Sequence, residues 1–150
     1  IDCGSAKETT DELGRTWLPD QKLTGFGTYG NQFGRFADRG RIGIAKTRIP
    51  SIYRTECGGG SDLHYTFPVP PGRYDVVLHF AETWNNAPGR ELFADVNGDR
   101  REIKVWERSG WKNAAMFETY LDVRAANGRI EVAITGQPIV NGIEIQRSGE

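Results

Sequence analysis

Trp84 stands in Trp84-Asn85-Asn86-Ala87-Pro88-Gly89, and Trp111 in Ser109-Gly110-Trp111-Lys112-Asn113. Asn, Pro, Gly and Ser clusters of this kind mark loops. A tryptophan set among turn residues is offered to solvent more readily than one inside an alternating strand. An exposed indole gives a flat apolar surface of large area at small entropic cost, and neighbouring amides can bond a polar rim. Molecules with apolar C–H faces and hydroxylated edges suit such a surface. We read Trp84 as a contact residue. Trp111 is balanced between contact and packing, and Trp106 and Trp17 read as core or rim.

The second concentration of chemistry is cationic. Between positions 35 and 54 stand Arg35, Arg39, Arg41, Lys46, Arg48 and Arg54, against Asp38 alone. A solvated loop surface is the ordinary explanation of such a run. The sharper reading is an acidic ligand, because guanidinium pairs carboxylate or sulfate bidentately. Arg54 is expected within a strand, anchoring an ion pair.

Catalysis finds little support. Glycoside hydrolysis needs two carboxylates at a defined separation. Glu56, Glu82, Glu91 and Asp95 all fall in strand-like segments. No serine-nucleophile motif is present. His64 and His79 lie on predicted strands, with no metal-ligand spacing to Cys3 or Cys57. No metal or cofactor is expected; a structural Ca²⁺ is conceivable in a β-sandwich, but no aspartate-rich loop supports it.

The elements that position these residues are strands. Tyr74, Val76, Leu78 and Phe80 alternate with Asp75, Val77, His79 and Ala81, a period of two that marks a half-buried strand over 73–82. Leu63, Tyr65 and Phe67 give another, after an earlier one over 51–57. Glu91 to Val96 ends at Asn97-Gly98, a strong hairpin signal, and 102–106 is its expected partner. Strands are also predicted over 115–124, over 129–135 after Asn127-Gly128, and over 139–146. About eight strands with no room for crossover helices predict an all-β fold, a jelly-roll-like antiparallel β-sandwich. Residues 4–50, rich in glycine and arginine and weakly patterned, read as binding-loop territory with one or two short strands.

The chain has 150 residues and a net charge of −1. That length suits a single domain over 1–150, and the charge argues against a dedicated nucleic-acid binder. No apolar run is long enough to span a bilayer. The opening Ile1-Asp2-Cys3 is already strand-like, so we expect a domain cut from a longer secreted or cell-surface protein. Cys3 and Cys57 read equally as one disulfide or as two buried thiols.

Several segments, in order, resemble the malectin family, a carbohydrate-binding module family. They are Ile1-Asp2-Cys3-Gly4, Trp17-Leu18-Pro19-Asp20, Ile52-Tyr53-Arg54-Thr55-Glu56 and Phe67-Pro68-Val69-Pro70-Pro71-Gly72-Arg73-Tyr74. Leu78-His79-Phe80-Ala81-Glu82, Gly89-Arg90-Glu91-Leu92-Phe93, Val96-Asn97-Gly98 and Asn141-Gly142-Ile143-Glu144-Ile145 follow. The resemblance covers nearly the whole chain. It implies a non-catalytic sandwich that binds oligosaccharide or polysaccharide in a loop-lined aromatic pocket and targets an attached catalytic domain; the arginine-rich run adds the expectation that the glycan is acidic. The alternative it carries is a protein-interaction or spacer domain of a receptor-like ectodomain.

The family's aromatic pair after Phe-Ala-Glu corresponds here to Trp84 and Asn85. A further family aromatic falls near Gly58, within Gly58-Gly59-Gly60, and a third is matched by Tyr29 or Phe36. The family's pocket acid falls around Gly136-Gln137. With Trp111 added from its own loop setting, the expected ligand-binding set is Trp84, Asn85, Tyr29, Phe36, Trp111 and Gln137, with aromatics stacking and Asn85 and Gln137 donating to hydroxyls.

Overall fold

The computed structural model describes residues 1–149. Alternating apolar residues fold into antiparallel strands whose inward faces meet. One sheet carries β10 (Ala115–Ala125), β7 (Gly72–Ala81) and β13 (Gly142–Arg147), in that order. The facing sheet orders β3 (Gly30–Gln32), β6 (Asp62–Pro68), β11 (Arg129–Gly136), β8 (Leu92–Val96) and β9 (Asp99–Glu102). Tyr74, Val76, Leu78 and Phe80 from β7 close on Leu63, Tyr65 and Phe67 of β6 and Ile130, Val132 and Ile134 of β11. The all-β sandwich is thus what the alternation predicts, and the segment from Arg73 supplies its central strand.

Two smaller sheets flank this core. β12 (Ile139–Val140), β5 (Thr55–Gly58) and β4 (Arg35–Asp38) form one, and β1 (Thr9–Thr10) with β2 (Thr16–Trp17) the other. A second apolar cluster, with Trp17, Ile44, Ile49, Ile52 and Tyr53, packs against Ala81 and Ala115. This cluster buries Trp17, as expected, and fastens the 39–53 loop to the three-stranded sheet. The four short strands β1–β4 are where the weakly patterned 4–50 segment acquires order.

Asn97 and Gly98 take φ of 48° and 94°, the left-handed pair a tight β-hairpin turn requires, and β8 pairs β9 across them. Beyond that hairpin the expectation needs correction. Its second strand stops at Glu102, and Val105–Ser109 is a short α-helix (α1) that carries Trp106. Residues 139–146 are two strands in two sheets, divided at Asn141, whose side chain bonds the backbone of Tyr53, Thr55 and Ala81. The segment from Ser51 begins as a 3-10 helix over Pro50–Tyr53. Arg54 therefore caps that helix rather than lying in a strand, and its Nε donates to the Ile42 carbonyl.

Cys3 and Cys57 are free and buried. Burial pushes the Cys57 thiol up to about 12 and the Cys3 thiol upward as well, so both act as small apolar side chains.

Candidate functional site

At one end of the sandwich β4, β5 and the loops after β7 and β11 enclose a half-open cleft of about 500 Å³. Trp84 and Phe36 supply its aromatic surface, and Arg35, Arg90 and Gln137 its polar groups. Trp84 is 53% exposed and Phe36 40%. Three residues of the sequence-predicted set, Trp84, Phe36 and Gln137, thus come together on three separate segments.

The Trp84 loop is held by a buried carboxylate. Glu82 Oε1 accepts from the backbone N–H groups of Trp84 and Asn85, each at 3.0 Å, and Oε2 from the Asn85 side chain at 3.2 Å. Arg90 clamps the same carboxylate, Nε at 2.6 Å and Nη2 at 3.0 Å, while its Nη1 donates to the Gln137 carbonyl at 2.8 Å. Burial raises the Glu82 acid, but the Arg90 bonds and the two backbone donors outweigh it, leaving its pKa below the usual value. A charged, well-bonded carboxylate therefore fixes where the loop leaves β7.

A second buried carboxylate acts on the indole from behind. Glu56 Oε1 lies 3.2 Å from Arg39 Nη2, and the Arg39 guanidinium sits 3.3 Å from the centre of the Trp84 ring. Arg39 Nε also donates to Thr83 Oγ1, which donates in turn to Glu56. Burial raises the Glu56 pKa, with the Arg39 charge opposing it. Cation–indole contact is favourable electrostatically, and here it covers one face of the ring.

The Gly58-Gly59-Gly60 stretch also lines the cleft. A Cβ on Gly58 would come within 2.5 Å of the Pro138 carbonyl oxygen, and one on Gly59 within 3.2 Å of Arg35 Cδ. Backbone thus crowds a side chain at Gly58 and the Arg35 stem one at Gly59, while Gly60 faces open space.

The remaining predicted residues lie elsewhere. Asn85 is turned to Glu82 and borders a neighbouring hollow with Gln137. Gln137 Oε1 accepts from the Glu91 backbone at 3.2 Å. Tyr29 stacks on Phe67, ring centroids 6.3 Å apart, and donates to the Pro19 carbonyl; it borders a different hollow from the Trp84 cleft. Trp111 is 49% exposed outside the cleft, with Lys46 Nζ 4.3 Å from its ring centre. Lys112 ties the two tryptophan loops by donating to Asn86 Oδ1 and the Trp84 carbonyl. Sequence reasoning missed Arg39 and Arg90 as organisers of the site. The arginine-rich run was the available signal for Arg39, and the Gly89-Arg90-Glu91 motif for Arg90.

The Malectin domain family model matches residues 1–149. No curated protein matches by sequence. Among solved structures, a Bacteroides uniformis beta-glucuronidase 2, covalently bound to cyclophellitol-6-carboxylate aziridine, is 23% identical with a TM-score of 0.82. The match covers 98% of this chain and 17% of that one. The ANXUR2 extracellular domain from Arabidopsis thaliana is 19% identical with a TM-score of 0.78, over 97% of this chain and 47% of that one. A structure of the plant peptide RALF23 in complex with FER and LLG2 is similar at 18% identity and a TM-score of 0.74, over 96% and 46%. The chain spans less than half the length of each of these three.

Proposed function

The chain belongs to the malectin domain family, and from that premise we propose that it is a non-catalytic carbohydrate-binding module. The observation that carries this reading is Trp84, a half-exposed indole in a cleft with Phe36, Arg35 and Gln137. A sugar ring stacks its C–H face on the indole face left open by Arg39. Its hydroxyls bond the polar groups around it, and Arg35 meets an acidic substituent. The two buried carboxylates nearest the cleft, Glu56 and Glu82, are engaged by Arg39 and Arg90, an arrangement that serves positioning rather than acid–base work. One site of this size supports dissociation constants on the order of 10⁻³ to 10⁻⁶ M. The module serves a secreted or cell-surface protein and holds an attached catalytic domain near its polysaccharide.

A second reading, a protein-interaction or spacer domain of an extracellular protein, is favoured by Gly58, where backbone excludes the family's further aromatic. One variant separates the two. Trp84→Ala should weaken binding to immobilised polysaccharides at least tenfold, about 1.4 kcal/mol, while the melting temperature stays unchanged. A buried tryptophan would instead cost about 3–5 kcal/mol on truncation, or roughly 2–4 °C for each of those in a domain this size. Affinity electrophoresis against a polysaccharide panel and a thermal melt decide. Indifference of the unaltered chain to every polysaccharide moves the assignment to the second reading.

A further inference from the structure

The outer face of the five-stranded sheet carries a second cleft, of about 460 Å³. It shares no lining residue with the Trp84 cleft. Strand register sets Gln32, His64, Ala133, Asp95 and Arg100 side by side, one from each strand. In the neighbouring row Thr66 pairs with Glu131. Successive residues of a strand point to opposite faces, and the partners between them, Leu63, Tyr65, Val132 and Ile134, are buried in the core. Ala133, on the central strand, leaves the middle of its row low between His64 and Asp95.

One end of the cleft is fixed. Asn97 Nδ2 donates to the carbonyls of Arg124 and Arg129, and its Oδ1 accepts from the Glu131 backbone. These bonds brace the Asn97-Gly98 turn against the 126–128 turn, so the rim is built rather than loose. The floor is sheet and the wall is a bonded pair of turns.

The chemistry of the lining selects the ligand class. Arg124 and Arg129 are offset by Asp95 and Glu131, so the cleft favours neither a strong anion nor a strong cation. The described residues contain no group of three His, Cys, Asp or Glu side chains able to hold a metal. The cleft opens on the sheet face, so a peptide cannot extend the ladder there, as it can at an edge. Among the described residues, the side chains of Gln32, Thr66, Arg124 and Asn127 line the cleft and make no hydrogen bond within the protein. A balanced mixture of donors and acceptors suits hydroxyl groups, each of which donates one bond and accepts others.

We propose that this sheet-face cleft is a second carbohydrate-binding site, for a neutral, hydroxyl-rich oligosaccharide chain. It stands on different strands from the Trp84 cleft and does not depend on that cleft binding anything.

The test uses Trp84→Ala as background, so that the two sites are read apart. Maltohexaose, cellohexaose and laminarihexaose are titrated into ¹⁵N-labelled protein. At least one should shift the backbone amides of Ala133, Gly98 and Gln32, saturating with a dissociation constant on the order of 1 mM. Adding Ala133→Arg should remove those shifts by filling the low centre of the row. Arg124→Ala, a change at an exposed position, should weaken them about threefold without touching the core. The proposal is overturned if no neutral hexasaccharide moves these amides. It is equally overturned if the shifts survive both variants, or if only sulfated dextran produces them. Loss of the Trp84 site in the single variant leaves every one of these outcomes readable.

Discussion

The guanidinium of Arg39 lies 3.3 Å from the centre of the Trp84 ring and 3.2 Å from a carboxylate oxygen of buried Glu56. One side chain therefore orients the Trp84 indole and offsets a charge that burial disfavours. Removing Arg39 should do two separable things. The indole loses its cap, so Trp84 samples more rotamers and affinity for glycan falls about threefold to tenfold through lost preorganisation. Glu56 loses its counter-charge, and stranding a buried ion typically costs about 3 kcal/mol or more. Urea unfolding of Arg39→Ala should show that loss, and Arg39→Ala with Glu56→Gln should recover most of it, because the neutral amide no longer needs the cation. The weakened binding should remain in the double variant. Equal stability of the single and double variants would mean that the pair does not act as described.

At the scale of elements, the 82–90 loop is the part of the site most dependent on one residue. Glu82 accepts from two backbone amides, one side-chain amide and two nitrogens of Arg90, more than a glutamine can satisfy, since its amide nitrogen would face Arg90. Glu82→Gln should loosen the loop and weaken glycan binding about tenfold, with the sandwich itself folded by circular dichroism. The folded pKa of Glu82 lies below its ordinary value of 4.5. Its stabilising contribution is therefore full above that value and is lost as pH falls through the lower folded pKa. Affinity measured from pH 7 downward should hold past the ordinary glutamate range and decline only as pH falls through the lower folded pKa, and Glu82→Gln should abolish that decline.

The sequence disclosed those elements whose pattern is long. Strand β7 and the Asn97-Gly98 hairpin followed from alternation and turn chemistry alone. α1 spans only Val105–Ser109, too short for a helical period to show. The split of β12 from β13 rests on what the Asn141 side chain bonds in distant segments, which no local pattern encodes. For the same reason the exposure of Trp84 was legible from its neighbours, while the packing of Tyr29 on a residue 38 positions away was not.

Over the whole molecule, 19 basic and 20 acidic side chains leave a net charge of −1, so the overall field does not draw in an acidic glycan. Any preference for acidic sugars must come from charge placed locally at the cleft. Half of the six-residue cationic run is already engaged within the protein: Arg39 under Trp84, Lys46 over Trp111, Arg54 on the Ile42 carbonyl. Arg90 lines the cleft, but its charge is neutralised by Glu82. Arg35 is different. It is exposed, it lines the cleft beside Gly59, and among the described residues its guanidinium has no carboxylate partner. We expect acidic or sulfated glycans to bind about threefold to tenfold better than neutral ones at low ionic strength, consistent with one solvent-screened charge pair. Raising salt should erase that margin, because exposed charges are screened within about 10 Å at 0.1 M, while the stacking contribution of Trp84 persists. Arg35→Ala should bring acidic and neutral glycans to equal affinity at low salt without changing the melting temperature, since it breaks no bond inside the protein. Titrations at two ionic strengths, on the unaltered chain and on Arg35→Ala, give the answer. An acidic preference that survives in the variant would place the selecting charge on another residue, and a preference insensitive to salt would show that it does not arise from exposed charge.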